Sequence, residues 1–284
     1  MKVSRLGPHF CAAIAAALFV AGAHAGTLDD IKKRGTIRLG YSETSVPFAF
    51  KNKAGEAAGY SVELCKRIAV GVGRAINAAD LKTEWVALVP AERIDAVASG
   101  KVDIECGTTT ETLARREKVD FSLPIFIDAA TFLARKSSAA SVPQLQGKKI
   151  AVAEGTTTMG AVDKALKKGF IKADVVKTKT VAEGFELLKE GKVDALASDR
   201  TVLVGTFLRG GGAEGLTVFN EDLSLEPYGL VLRRGDPDFR LAVDRVLAQI
   251  YGSGEIEGIY NDWLAPLGKP TIPLITMYLL NALD

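Results

Sequence analysis

The chain of 284 residues is long for one small domain and comfortable for two of ordinary size. Its 36 lysines and arginines nearly balance 34 aspartates and glutamates, so no net field favours a nucleic acid or an anionic membrane surface. With 48% hydrophobic and 25% charged residues the composition is globular, which excludes a disordered chain.

Residues 1–25 carry Lys2 and Arg5, then an apolar, Ala-rich run from Phe10 to Ala23 that ends in Ala23-His24-Ala25. This pattern predicts a secretory signal peptide cleaved after Ala25, since the run is too short for a membrane span. Cys11 stands at the front of the run, where a lipid-attachment cysteine would stand at its end. Removal of 25 residues leaves 259, with 34 basic and 34 acidic side chains. Both histidines, His9 and His24, leave with that segment. A mature chain without histidine cannot run a Ser-His-Asp or Cys-His mechanism or build a His-containing zinc site, and no metal or cofactor is expected. Cys65 and Cys106 remain, and an even pair in an oxidising compartment invites a disulfide. Cys65 lies in a helical pattern, however, and Cys106 follows a buried-looking strand, so each is expected as a small core residue rather than half of a bond.

Short β-branched runs then alternate with amphipathic stretches, the mark of an α/β fold. Strands are predicted at residues 36–40, 83–86 and 102–105, and helices at 62–72 and 91–98, with Leu64, Ile68 and Val72 on one face of the first helix. A second series follows, with strands at 150–153, 174–177 and 193–197 and helices at 157–168 and 182–190. Gly100-Lys101-Val102-Asp103 closes a helix and opens a strand in the first series, and Gly191-Lys192-Val193-Asp194 does so in the second. With the repeated order of elements, this favours two similar lobes over one continuous sheet. Residues 121–135 and 228–233 are extended and apolar, and two such strands crossing between lobes make a two-stranded hinge. The tail, with a helix at 238–251, is expected to return to the first lobe.

Ligands bind at the C-terminal edge of strands in an open α/β sheet. There stand Cys106-Gly107-Thr108-Thr109-Thr110, then Arg115, then Phe121-Ser122-Leu123-Pro124. Hydroxyls and backbone amides followed by an arginine suit a carboxylate, which the guanidinium holds with two parallel bonds. A Thr-rich helix cap beside a surface arginine is an equal alternative on this segment alone.

Gly59-Tyr60-Ser61-Val62-Glu63-Leu64, the Gly-Lys-Val-Asp turn, and Thr-x-Thr-x4-Arg before Phe-Ser-x-Pro together resemble the polar amino-acid-binding proteins of ABC importers, solute-binding protein family 3. Ser45-Val46-Pro47-Phe48, Glu105-Cys106-Gly107 and Glu226-Pro227-Tyr228-Gly229 are closest to the glutamate/aspartate-binding branch. The resemblance implies a periplasmic, monomeric α/β protein of the type II two-lobed binding fold, with residues 27–126 plus 230–284 in one lobe and 130–226 in the other. It implies capture of a polar L-amino acid of the glutamate, glutamine or aspartate class and delivery to permease subunits in the inner membrane, with no chemistry on the ligand. Arg115 sits where the family clamps the α-carboxylate, with Arg116 pointing elsewhere. Thr108 and Thr110 sit where hydroxyl and backbone groups meet the α-amino and α-carboxylate groups. Thr156 and Thr157 open a helix whose free N–H groups suit an anion, and Thr157 matches the family's second-lobe contact to the carboxylate. Asp199 matches the acid that pairs with the ammonium, while Asp194 falls on the wrong edge of its strand. Arg93 aligns with an arginine aimed at a distal carboxylate, or else salt-bridges Asp95 or Glu92. Ser42 stands where acidic-ligand binders carry a second arginine, and no histidine stands near Val181, which favours a carbonyl-bearing side chain of the glutamate or glutamine class over lysine, arginine or histidine. The rival class is a periplasmic enzyme on the same scaffold, a cyclohexadienyl dehydratase, with Glu154 or Glu43 as general acid. A sugar-binding role has only Trp85 and Trp263 to stack on a ring, and both are expected in the core.

Overall fold

The computed structural model describes residues 26–212 and 215–283; the expected signal peptide lies outside them. The first stretch runs α1 (Thr27–Arg34), β1 (Thr36–Tyr41), the short strands β2 (Thr44–Ser45), β3 (Ala49–Lys51) and β4 (Ala57–Ala58), then α2 (Tyr60–Ala75), β5 (Lys82–Ala87), α3 (Arg93–Ala98), β6 (Ile104–Glu105) and α4 (Leu113–Arg116). Two extended strands follow, β7 (Val119–Asp128) and β8 (Ala130–Arg135). The second stretch runs β9 (Lys149–Ala153), α5 (Thr158–Lys168), β10 (Asp174–Thr178), α6 (Val181–Lys189), β11 (Ala195–Asp199), α7 (Arg200–Arg209) and β12 (Leu216–Val218). The chain then passes through β13 (Glu226–Arg233), α8 (Pro237–Gly252), α9 (Glu255–Leu264) and α10 (Ile272–Leu280).

Two five-stranded sheets result, in the orders β5-β1-β6-β13-β7 and β10-β9-β11-β8-β12, with a small β2-β3-β4 sheet beside the first. Three parallel strands followed by antiparallel partners make up each large sheet. The chain is therefore α/β with two lobes of like topology. In the first sheet the apolar positions of β1, Ile37 and Leu39, are sealed, and α2 lays Tyr60, Leu64, Ile68 and Val72 on the core at four-residue spacing. Gly59 starts α2 at φ 123°, and a Cβ there would meet the Phe48 carbonyl oxygen at 2.4 Å, so only glycine lets the chain turn this close.

The two Gly-Lys-Val-Asp turns fold alike. Gly100 and Gly191 are left-handed, at φ 72° and 73°. Val102 N–H donates back to Ala96 O of α3, and Val193 N–H to Leu187 O of α6. Asp103 N–H donates to Arg38 O while its carboxylate accepts from Arg38 N–H; Asp194 makes the same exchange with Lys149. These back-bonds consume the valine amides, which is why the strands begin at Ile104 and Ala195 rather than at the valines.

Strands β7 and β13 pair antiparallel from Asp128↔Glu226 to Val119↔Arg233, with register shifts on either side of Gly229. At Ala129 the chain leaves β7 of the first sheet and enters β8 of the second. α8 returns to pack on α2 and β7, so the tail rejoins the first lobe. Helices α1, α4, α9 and α10, strand β12 and the small sheet went unread in the sequence.

Cys65 and Cys106 form a disulfide, contrary to the expectation of two free core cysteines. Both are fully buried, as their patterns indicate. What periodicity does not convey is that α2 lies across the end of β6, where Ser61 Oγ also donates to Gly107 O at 2.8 Å. The bond spans 41 residues of sequence, a loop whose closure constrains the unfolded chain by about 4 kcal/mol. Replacing both cysteines by alanine is expected to lower unfolding free energy by up to that amount in a denaturant titration; an unchanged midpoint would contradict the bond.

Candidate ligand-binding site

The loop after β6 is held by several independent bonds. Gly229 N–H of β13 donates to Thr109 O at 3.2 Å, Glu111 N–H donates to Pro227 O at 2.8 Å, and Thr110 bridges to Tyr228. Across from it, Gly155 turns the chain at φ 76° between β9 and α5. The two segments face one another over a narrow cavity of about 20 Å³, little more than a water molecule needs. Arg93, Thr108, Thr110 and Arg115 line it from one side, and Thr156, Thr157 and Asp199 from the other. Seven of the eight expected positions thus come together. Ser42 is set back: its Oγ accepts from Ser45 Oγ at 2.9 Å and from Thr44 N–H at 3.2 Å, and Ser45 lines the cavity instead. Pro90, Thr158, Val181, Ser198 and Val202 complete the wall.

Arg115 reaches across. Its Nη1 donates to Thr110 O at 2.6 Å and its Nη2 to Gly155 O at 3.0 Å, so one guanidinium ties the two sides. Burial, with Arg93 beside it, lowers its proton affinity from the ordinary arginine value. Arg116 turns away to Glu111 at 2.6 Å. Arg93 is not the surface ion pair with Asp95 or Glu92 that its neighbours in sequence suggest. It is buried, donates to Thr108 O and Thr109 Oγ1 at 3.3 Å, and stands 3.7 Å from buried Glu105. Burial raises the Glu105 carboxyl, against the pull of Arg93 and of the 2.7 Å bond from Thr109 Oγ1.

Asp199 precedes α7 without capping it. Its carboxylate accepts instead from Tyr228 OH and from Thr158 Oγ1 at 3.3 Å. Asp128, 3.3 Å from the same phenol, also accepts from the Ala129 N–H at 2.8 Å. Burial and mutual repulsion push Asp199 up to about 7, and burial pushes Asp128 up to about 6. Thr157 likewise spends no side-chain bond on α5; its hydroxyl, and that of Thr110, go to Glu226. Asp194 is occupied at the far end of β11's approach, by Lys149 N–H and Ser138 Oγ. Glu43 and Glu154 pair with Lys51 and Lys177 on the surface, and neither lines the cavity. Trp85 and Trp263 are partly buried against Tyr41 and Phe50, away from it.

Glu105, Glu226, Tyr228 and Asp128 are polar residues behind the cavity that received no role from the sequence. The signal was present: an acid and a tyrosine at i and i+2 fall on one face of an otherwise apolar strand.

A charged cavity enclosed between two α/β lobes is the architecture of a solute-binding protein. Residues 37–266 match the bacterial extracellular solute-binding proteins, family 3, and the chain belongs to that family. It is 32% identical over 265 residues to the L-glutamate/L-aspartate-binding protein of Pseudomonas aeruginosa, covering 92% of this chain and 87% of that one. Among solved structures it is similar to an ancestral arginine-binding protein bound to glutamine, at TM-score 0.73 and 31% identity over 81% of this chain and 98% of that one. It is also similar to an ancestral amino-acid-binding protein described as a precursor of cyclohexadienyl dehydratase, at TM-score 0.72 and 31% identity over 84% and 99% of the two chains.

The raised Asp199 and Asp128 carboxyls bind protons in the fold at pH values where unfolded aspartates, near 3.9, have lost them. Their contribution to stability is therefore complete below about pH 4 and lost as pH rises through about 6 to 7. Asp199→Asn removes that charge, so its unfolding midpoint relative to wild type is expected to rise between pH 5 and pH 8 in ligand-free protein. A difference that does not vary with pH would mean that Asp199 ionises in the fold at no cost.

Proposed function

We propose that this protein is exported to the periplasm, with its signal peptide cleaved after Ala25, and works there as a monomer. It captures a polar L-amino acid of the glutamate, glutamine or aspartate class and delivers it to an ABC permease in the inner membrane. The observation that carries this reading is a cavity with both poles of a zwitterion provided for: Arg115 for the α-carboxylate, and Asp199 with the Thr110 and Thr157 hydroxyls for the α-ammonium. Thr108, and Thr156 at the start of α5, would complete the grip. Arg93 would face the ligand side chain. Because Glu105 already offsets its charge, a carbonyl oxygen, from an amide or a single carboxylate, suits it best. The name of the Pseudomonas aeruginosa relative supports that class.

The lobes would comprise residues 27–126 plus 230–284, and 130–226, with β7 and β13 as the hinge. A 20 Å³ cavity admits an amino acid only when its walls part, so ligand favours closure through contacts that exist only when both lobes touch it. No helix among the described residues is long and apolar enough to cross a membrane.

A dehydratase on this scaffold is the second reading, favoured by the ancestral neighbour and by the protonatable Asp199 in the cavity. Incubation with prephenate or arogenate, followed by ultraviolet absorbance, separates the two; turnover would replace the binding role.

A thermal-shift screen of the common amino acids should single out the glutamate, glutamine and aspartate group over lysine, arginine and histidine. Against the best ligand, Arg115→Ala is expected to lose roughly 2–5 kcal/mol of binding in calorimetry with little change in fold. Unchanged affinity would remove Arg115 from the site.

Closure has a second seam that can be tested without touching the cavity. Arg209 of α7 donates to Lys51 O at 2.7 Å and covers the Phe50 ring at 4.8 Å. Gly205, within the same helix, has Val46 O only 2.5 Å from where a Cβ would stand. Gly205→Ala improves helix propensity and clashes only across this seam. It is expected to weaken ligand binding at least about tenfold, the order of one overpacking penalty, while the ligand-free protein stays as stable as wild type. Wild-type affinity would show that closure does not bring α7 onto Val46.

A further inference from the structure

Glu226 lies at the start of β13, buried, outside the cavity wall and directly behind it. Its Oε2 accepts from Thr110 Oγ1 at 2.5 Å and from Thr157 Oγ1 at 2.6 Å. Ser224 Oγ donates to Oε1. The two threonine oxygens are 3.3 Å apart, and they arrive from opposite sides, one on the loop after β6 and one at the start of α5.

A hydroxyl has one proton to give, and an ionised carboxylate can only accept. Distances of 2.5 and 2.6 Å are those of charge-assisted bonds, stronger than either hydroxyl would make with a neutral partner or with the other. Both protons are therefore committed to Glu226. What the threonines turn toward the cavity is lone pairs alone.

We infer that Glu226 is the positioning residue that makes this site select an α-ammonium over an α-hydroxyl or α-keto group, by fixing Thr110 and Thr157 as paired acceptors. The inference rests on the amino-acid-binding reading above and refines it. Thr157, aligned with a contact to the ligand carboxylate, presents its side chain to the opposite pole. Any contact it makes with the carboxylate falls to its backbone. A primary ammonium has three donors and no lone pair, so it can serve both threonines and Asp199 at once. An α-hydroxy acid has a single proton for three acceptors, and an α-keto acid has none. A buried acceptor left without a donor is costly, which is how a polar site rejects the analogue that lacks one group. Since Oε2 gathers one hydroxyl from each lobe, this polarity is complete only where the lobes meet.

The test compares L-glutamate and L-glutamine with their 2-hydroxy counterparts by calorimetry, in wild type, Glu226→Ala and Glu226→Gln. Wild type is expected to prefer the amino acids. In Glu226→Ala the hydroxyls are free to turn, and the preference should fall at least about tenfold, the worth of one charged hydrogen bond. Glu226→Gln keeps a carbonyl oxygen able to accept from both threonines and should retain the larger part of the preference, which a role through charge alone would not allow. If Glu226→Ala does not fold, Thr110→Val, which deletes one acceptor and keeps the shape, should weaken amino-acid binding more than 2-hydroxy-acid binding. Parallel weakening of both ligand types in these variants overturns the inference, because a residue that merely supports the fold lowers both alike. Absence of amino-acid binding in wild type overturns the functional reading itself, and the inference with it.

Discussion

Two guanidinium groups and four carboxylates converge on one narrow cavity, and burial obliges each to find a partner. Arg93 has Glu105 and the threonine oxygens around it. Arg115 is held by two backbone carbonyls from facing segments. Glu226 collects three hydroxyls. Asp199 accepts from Tyr228 OH and Thr158 Oγ1, and Asp128 stands by the same phenol and accepts from the Ala129 N–H, yet burial still raises the proton affinity of both. The loop after β6, the start of α5 and the first residues of β13 are thus fixed by one set of mutual obligations. Moving any of the three leaves a buried charge unmatched.

The scaffold under this set is apolar and close-packed. Tyr228 lowers its ring into a cluster with Phe48 and Phe126, at centroid distances of 5.4 and 6.1 Å, while its hydroxyl reaches up to the aspartates. A single side chain therefore joins the core to the cavity floor. On the other flank the Cys65–Cys106 bond and the Ser61–Gly107 hydrogen bond anchor the threonine loop to α2. The loop carries the polar groups, and rigid elements on both sides set their positions.

Much of this was legible because the chain repeats itself. The paired Gly-Lys-Val-Asp segments mark equivalent turns in both lobes, and alternating strands and helices mark two α/β sheets. Arg115, Thr110 and Asp199 were singled out through the family resemblance, and they line one cavity. Ser42 was misplaced because alignment reports a position along the chain and not which way a hydroxyl turns; its bond to Ser45 is a matter of three dimensions. The partner of Arg93 was missed for a similar reason. Residues 92 and 95 are near in sequence, but β6 brings Glu105 beneath the start of α3. The disulfide was missed because burial patterns locate a side chain in the core without naming its neighbour there.

The order of strands in the first sheet has a consequence for how the chain comes to be folded. Strand β13 lies in the middle of that sheet, between β6 and β7, yet it is made after every other described strand. The second sheet is drawn from one continuous run, β8 to β12, and can close on itself as soon as that run emerges. The first sheet must wait, with β6 and β7 unjoined and their edges open to other chains. Synthesis runs from the N-terminus, so the lobe begun first is finished last. Glu226 and Tyr228, arriving on that same strand, complete the sheet and the cavity floor in one step.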